Sequence, residues 1–284
     1  MSTTSSQPRT QATKRPTRTR NKPAGKKASG WVPNQHGAWA MLIAPFTVGA
    51  ALHVRDFGWS WHILPLFGAW MFGYFAFAAA SLWLKSHRKQ KFLKPMVTYA
   101  SIAGVLGLLV LLLIGPALLW WGVAYVPLTA ITLWLVAHRK ERSTLSGLLT
   151  IAAAGLMAVT AAHPVPTDAL RPEAANAWWL AALAFTYFFG TVPYVKTLIR
   201  ERGHKSWVIG SVVYHVVATA LAAVAAALGV LSWWWTAFFA LITVRAWLVP
   251  ALGPMSGRNV SPKHAGFGEV AVTLVFAAIA LTTL

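Results

Sequence analysis

Apolar residues come in nine long runs along the chain, parted by short polar breaks, at about 36–53, 62–84, 97–114, 117–137, 144–162, 175–198, 207–230, 232–250 and 266–284. A helix needs about 20 mostly apolar residues to cross a hydrocarbon core about 30 Å thick. The runs therefore predict about nine transmembrane helices. Ile114-Gly115-Pro116 divides the third run from the fourth, a breaker that turns an implausibly long helix into a tight hairpin. Pro45 is expected to bend the first helix, and Pro127 and Pro193 are candidate breaks. The fold class is all-α: residues 31–284 form a polytopic membrane helix bundle.

Residues 1–30 carry eight basic side chains, no acid and no apolar run, and are rich in Ser, Thr and Pro. That composition predicts a disordered basic tail. On a cytoplasmic surface each basic residue gains about 1 kcal/mol against anionic lipid, so membrane lipid is its expected partner and nucleic acid is unlikely. Composition agrees with a lipid solvent: 57% of residues are hydrophobic and only 11% charged, against about 25% charged in soluble domains. The chain has no cysteine, which excludes disulfides, thiolate metal sites and a cysteine nucleophile.

The net charge of +19 is segregated. With nine spans, 23 of the 25 Lys and Arg residues fall on the side of the tail, leaving Arg55 and Arg171 on the other. By the positive-inside rule this predicts a cytoplasmic (inner) membrane protein with its N-terminus in the cytoplasm and its C-terminus outside. Arg245 is counted here among the cytoplasmic boundary residues. Trp59, Trp61, Trp120, Trp121, Trp178, Trp179 and Trp233 to Trp235 collect at the outer boundaries, as interfacial anchors do.

Three segments on the cytoplasmic side are candidates for chemistry. The first is Asn34-Gln35-His36 after Pro33, a polar cluster at a helix entrance; Asn34 is also a helix cap. The second runs from Lys85 to Pro95, with five cations; Lys85, Arg88 and Lys89 share one face if the second helix continues through them. The third runs from Tyr194 to Lys205; Lys196 and Arg200 are four apart on one face, and His204 follows Gly203. Each has an ordinary reading as a snorkelling collar or a cap. Within the seventh span Ser211 and His215 share a face, and an ionisable group at that depth is a functional candidate. His264 and Glu269 could join His36 in a metal arrangement if the terminal helices are neighbours. No phosphate-binding loop, serine-nucleophile elbow or zinc-type histidine spacing is present.

The segment Pro33-Asn34-Gln35-His36-Gly37-Ala38-Trp39-Ala40, with Pro45, Gly49 and Ile199-Arg200-Glu201-Arg202-Gly203, resembles the YwiC-like family of bacterial membrane proteins from about residue 31 to the C-terminus. In layout the chain is more distantly similar to UbiA-type intramembrane prenyltransferases, whose nine spans carry polar motifs after spans two and six. In those enzymes the motifs are aspartate-rich and hold Mg²⁺ and a diphosphate. Here the equivalent points carry segments 85–95 and 196–205, with no acid in residues 73–95 and only Glu201 in the second.

Cations at those points can contact phosphate oxygens directly, without a bridging metal. The expected function is a cytoplasm-facing pocket for an anionic lipid or isoprenoid diphosphate, lined by Asn34, Gln35, His36, Lys85, Arg88, Lys196, Arg200, Ser211 and His215. No cofactor is predicted, and Mg²⁺ has weak support. Whether the chain is an enzyme is open; a prenyl or lipid transferase without the Asp–Mg²⁺ site would use His36 or His204 for the proton. A transporter of an anionic solute and a non-catalytic scaffold are the competing readings.

Overall fold

A computed structural model of the chain describes residues 30–33, 38–257 and 260–284. The expected basic tail up to residue 29, the Asn34–His36 cluster and Arg258 lie outside the described residues. Among the described residues the structure is all-helical, with nine long helices. These are α1 (Ala38–Phe57), α2 (Ile63–Lys85), α3 (Gln90–Ile114), α4 (Gly122–Ala137), α5 (Thr144–Ala162), α6 (Ala175–Ile199), α7 (Lys205–Ala227), α8 (Trp233–Leu252) and α9 (Pro262–Thr283). Each predicted run holds one helix. Eight of the spans are long and apolar enough to cross a membrane. The chain is a multi-pass membrane protein.

The boundaries have local causes. Gly115, at φ 101°, ends α3, and a 3₁₀ stretch over Pro116–Trp121 leads into α4. Ser143 and Ser261 accept hydrogen bonds from backbone N–H groups at the starts of α5 and α9, satisfying donors that a helix start leaves orphaned. Pro45, Pro127 and Pro193 lie inside α1, α4 and α6, each of which runs on through its proline.

Helices α5 and α6 form the middle of the bundle. In α5, 61% of the most apolar window is buried, against 6% in α3. Small residues bring the central backbones together: a Cβ on Gly49 of α1 would lie 2.2 Å from the Ala158 carbonyl oxygen of α5. Close backbone approach at small residues is how membrane helices gain contact when lipid offers no hydrophobic drive. Around this seam the core is filled by Val48, Leu180, Tyr187, Trp235, Phe238 and Phe276. Helix α2 packs chiefly on α3, and more lightly on α4 and α1.

The loops fall into two sets at opposite ends. Lys85, Glu141, Ser146 and Arg200 meet at one end. Near the other end, Trp121 Nε1 donates to the Pro164 carbonyl (2.9 Å) and Trp235 Nε1 to the Thr283 hydroxyl (3.1 Å). Trp59, Trp61, Trp120, Trp178, Trp179, Trp233 and Trp234 are exposed, as interfacial anchors would be, whereas Trp121 and Trp235 are buried packing residues.

Candidate functional site: a basic cavity at one end of the bundle

The structure differs from the sequence reading at the end of α2. The helix stops at Lys85, and His87 (φ 57°) and Arg88 (φ 60°) are left-handed. The Arg88 N–H donates to the Trp83 carbonyl (2.9 Å) in a helix-closing turn usually built on glycine. Arg88 therefore leaves the face of Lys85, and its guanidinium stacks on Trp83, 5.5 Å from the ring centre. Lys85 stays on the helix and points the other way, into a cavity of about 500 Å³.

That cavity also receives Lys196 from the last turn of α6 and Arg200, the residue that caps its end. Side chains four apart lie on one helix face, and the chain reaches Arg200 before it turns away. Lys196 Nζ sits 5.0 Å from the centre of the Trp207 ring of α7, a cation–π contact that holds the ammonium beside the cavity. Glu141, from the loop between α4 and α5, enters opposite and lies 3.6 Å from Lys85 Nζ. Among the described residues Lys196 and Arg200 have no ion pair, so the wall holds three cations against one carboxylate. The hydroxyl of Ser81 and one oxygen of Glu141, both on residues of this wall, are buried with no hydrogen-bond partner among the described residues. The rest is hydroxyl and apolar: Ser146, Thr132, Thr150, Thr191, Tyr74, Phe77, Phe188 and Val192 among others.

The other proposed residues lie elsewhere. His204 is exposed at the start of α7 and off the cavity wall. Ser211 and His215 are fully buried in α7. His215 Nδ1 donates to the Ser211 carbonyl (2.7 Å), and Gly190 of α6 makes room for the ring. These two pack α7 on α6. His264 is exposed and bonded to Ser261, while Glu269 is engaged by Arg245; His36, the third member of the expected metal arrangement, lies outside the described residues. Among the described residues no group of three or more His, Asp or Glu is placed to hold a metal ion. The cavity's donor set, one carboxylate among cations, is the inverse of what a Mg²⁺ site uses.

Two polar groupings escaped the sequence reading. Arg245 is not a boundary residue: it lies inside α8, where its guanidinium meets Glu269 of α9 at 2.9 Å and stacks on Tyr194 at 4.3 Å. Tyr187 of α6 donates to Glu269 (3.3 Å). Matched depth was the available signal: Arg245 is seven residues before the end of α8, and Glu269 seven after the start of the antiparallel α9. At the opposite end of the bundle His53, His62 and His163 are all buried. His53 Nδ1 donates to the Ala162 carbonyl (2.8 Å), and its ring centre is 4.9 Å from that of His62. Burial depresses the His62 pKa, and neighbouring His53 adds to it. Burial also depresses that of His163, outweighing the pull of Asp56 and Asp168.

Sequence comparison then places the chain. "Uncharacterized protein YwiC" of Bacillus subtilis is 30% identical over 253 residues, covering 87% of this chain and 95% of that one. This chain belongs to the YwiC-like family. The family profile, described as YwiC-like protein, matches residues 32–162, which takes in α1 to α5 and with them Lys85 and Glu141. A Haemophilus influenzae protein, described as "Uncharacterized protein", is 26% identical to the YwiC-like chain over 194 residues, 65% of this sequence and 74% of its own. No solved structure matches.

Proposed function

We propose that this protein binds an anionic headgroup, of a lipid or an isoprenoid diphosphate, in the cavity between α2, α4, α5 and α6, with the basic end of the bundle facing the cytoplasm. One observation carries this reading. Lys85, Lys196 and Arg200, from helices far apart in sequence, converge on a single cavity, and among the described residues two of them have no acidic partner. Lys85 and Lys196 are half-buried and Arg200 is exposed; cations bind phosphate oxygens by charge-assisted hydrogen bonds of up to about 1.5–3 kcal/mol each, least where water competes. Asn34, Gln35 and His36 are proposed as further contacts. No catalytic step is assigned; the reading is of binding, independent of Mg²⁺.

The test is binding of farnesyl diphosphate to protein in nanodiscs of uncharged lipid, with and without chelator. Lys196→Glu with Arg200→Glu should weaken binding by a hundredfold or more while the protein stays monodisperse, and chelator should change nothing. Undiminished binding by the double variant refutes the site; loss of binding on adding chelator refutes the direct contact of cation and phosphate. The ion pair between Arg245 and Glu269 supports a second reading, because ionised groups inside a span often mark a transport path. Uptake of an anionic solute into proteoliposomes by the native protein, lost in Glu269→Gln protein that is still folded and monodisperse at the assay temperature, would favour it.

A further inference from the structure

Two polar atoms in the wall of the basic cavity are unspent, and they are opposite in kind. Thr132, Thr150 and Thr191 give their hydroxyl protons to the Leu128, Ser146 and Phe188 carbonyls of their own helices. The Ser81 hydroxyl gives its proton to no described residue, and one Glu141 carboxylate oxygen receives none from them. Folded proteins rarely leave a buried donor or acceptor in that state, because each one costs its lost hydration.

Both atoms belong to the corner around Lys85. Ser81 precedes Lys85 by four residues in α2, on the same face and about 6 Å deeper. Glu141 meets Lys85 Nζ at 3.6 Å with one oxygen, and the other oxygen is the free one. The Glu141 side chain is 27% exposed, so it borders open space. Its terminal torsion is broad and two-fold, and a serine hydroxyl proton rotates to suit its acceptor. A ligand in the cavity can therefore engage both atoms without a shift of either helix.

A bare phosphate does not match this corner. Fully ionised, it offers only acceptors, so it answers Ser81, Lys196 and Arg200 and opposes Glu141. What Glu141 lacks is a proton donor. A hydroxyl supplies one, and its own lone pairs accept from Ser81. The charge balance still calls for a phosphate beside it. Three cations and one carboxylate leave an excess of two positive charges, and a phosphate monoester carries about −1.5 to −2 at pH 7. The cavity, at about 500 Å³, lies within the range of about 300–1,000 Å³ that small-ligand sites occupy.

We infer that the ligand of the basic cavity is a polyol phosphate, a phosphate ester with a free hydroxyl on its alcohol, as in a glycerol-phosphate or sugar-phosphate headgroup. Lys196 and Arg200 hold the phosphate, while Glu141 and Ser81 read the hydroxyl. This rests on the headgroup reading above and specifies its substrate class. The same chemistry comes from a lipid headgroup or from a free polyol phosphate.

Paired ligands that differ only in their hydroxyls test it, with the full chain in nanodiscs of uncharged lipid. Glycerol 3-phosphate is compared with propyl phosphate, and short-chain phosphatidylglycerol with short-chain phosphatidylpropanol. A hydrogen bond to a charged group is worth about tenfold in affinity, so the hydroxylated member of at least one pair should bind about tenfold more tightly. Preference in the first pair alone identifies a free phosphate, and preference in the second a lipid headgroup. Ser81→Ala and Glu141→Gln, each confirmed as monodisperse, should cut that preference to about threefold or less. Glu141→Gln should do so while tightening propyl phosphate, a split that misfolding does not produce. If both members of both pairs bind alike, or if either folded variant keeps the full preference, the polyol reading is wrong while the headgroup site stands. If no phosphate binds, farnesyl diphosphate included, the headgroup site fails with it.

Discussion

Removing one partner of the Arg245–Glu269 pair should be the most damaging conservative change in the protein. The two groups are 16% and 13% exposed and 2.9 Å apart. At an effective dielectric near 20 their attraction is about 6 kcal/mol, before the cost of removing both from water. Glu269→Gln leaves the guanidinium buried with its Nε and one terminal nitrogen already lacking partners, and stranding a charge in this way costs about 3–5 kcal/mol. For a soluble chain of similar size each kcal/mol is worth about 2–4 °C, so a fall of roughly 6–20 °C is expected. Tryptophan fluorescence during heating in nanodiscs reads it out. The combined change Arg245→Met with Glu269→Leu, which removes both charges at similar volume, should recover most of the loss. Strictly additive effects, or a single variant that melts within 2 °C of the native protein on this same scale, would refute the claim that the pair is desolvated and mutually dependent.

Glu141→Gln should tighten anion binding in the basic cavity about five- to tenfold, because the carboxylate 3.6 Å from Lys85 competes with any phosphate there; titration with farnesyl diphosphate measures it. Gly49→Ala should cost about 1–3 kcal/mol or more, since the new methyl meets the Ala158 carbonyl, part of the backbone, at 2.2 Å; its melting temperature and yield of monodisperse protein report this. Stability should fall as pH drops below about 6.5, because His62 and His163 hold folded pKa values beneath that ordinary one and the unfolded chain takes up protons that the folded one refuses. Above that pH both states are neutral at these positions and the effect vanishes; His62→Gln with His163→Gln should flatten the melting temperature between pH 7.5 and 5.5, a window set by the ordinary histidine value.

The spans were legible because lipid forces a simple rule on sequence: every backbone group must be satisfied within its own helix, so each crossing needs one apolar run. Lys85, Lys196 and Arg200 could be found for a related reason. They end helices that the pattern had already delimited, and two of them are spaced for one face. Arg88 could not be placed. Its departure depends on a left-handed turn at His87 and Arg88, which glycine would have announced and these residues conceal. Glu141 was hidden in the same way, since it follows the left-handed Arg139 that closes α4. Arg245 was misassigned because a cation near the end of an apolar run looks like a snorkelling boundary until its partner at equal depth is considered.

Helix α3 has hardly any protein around it, and it is the main support of α2, which forms one wall of the basic cavity. The bilayer is thus the outer course of masonry for that wall. Acyl chains pressing on α3 hold the hollow to its width, so its dimensions should follow the thickness and lateral pressure of the host membrane, and detergent should slacken this side of the protein before it disturbs the tightly seamed centre.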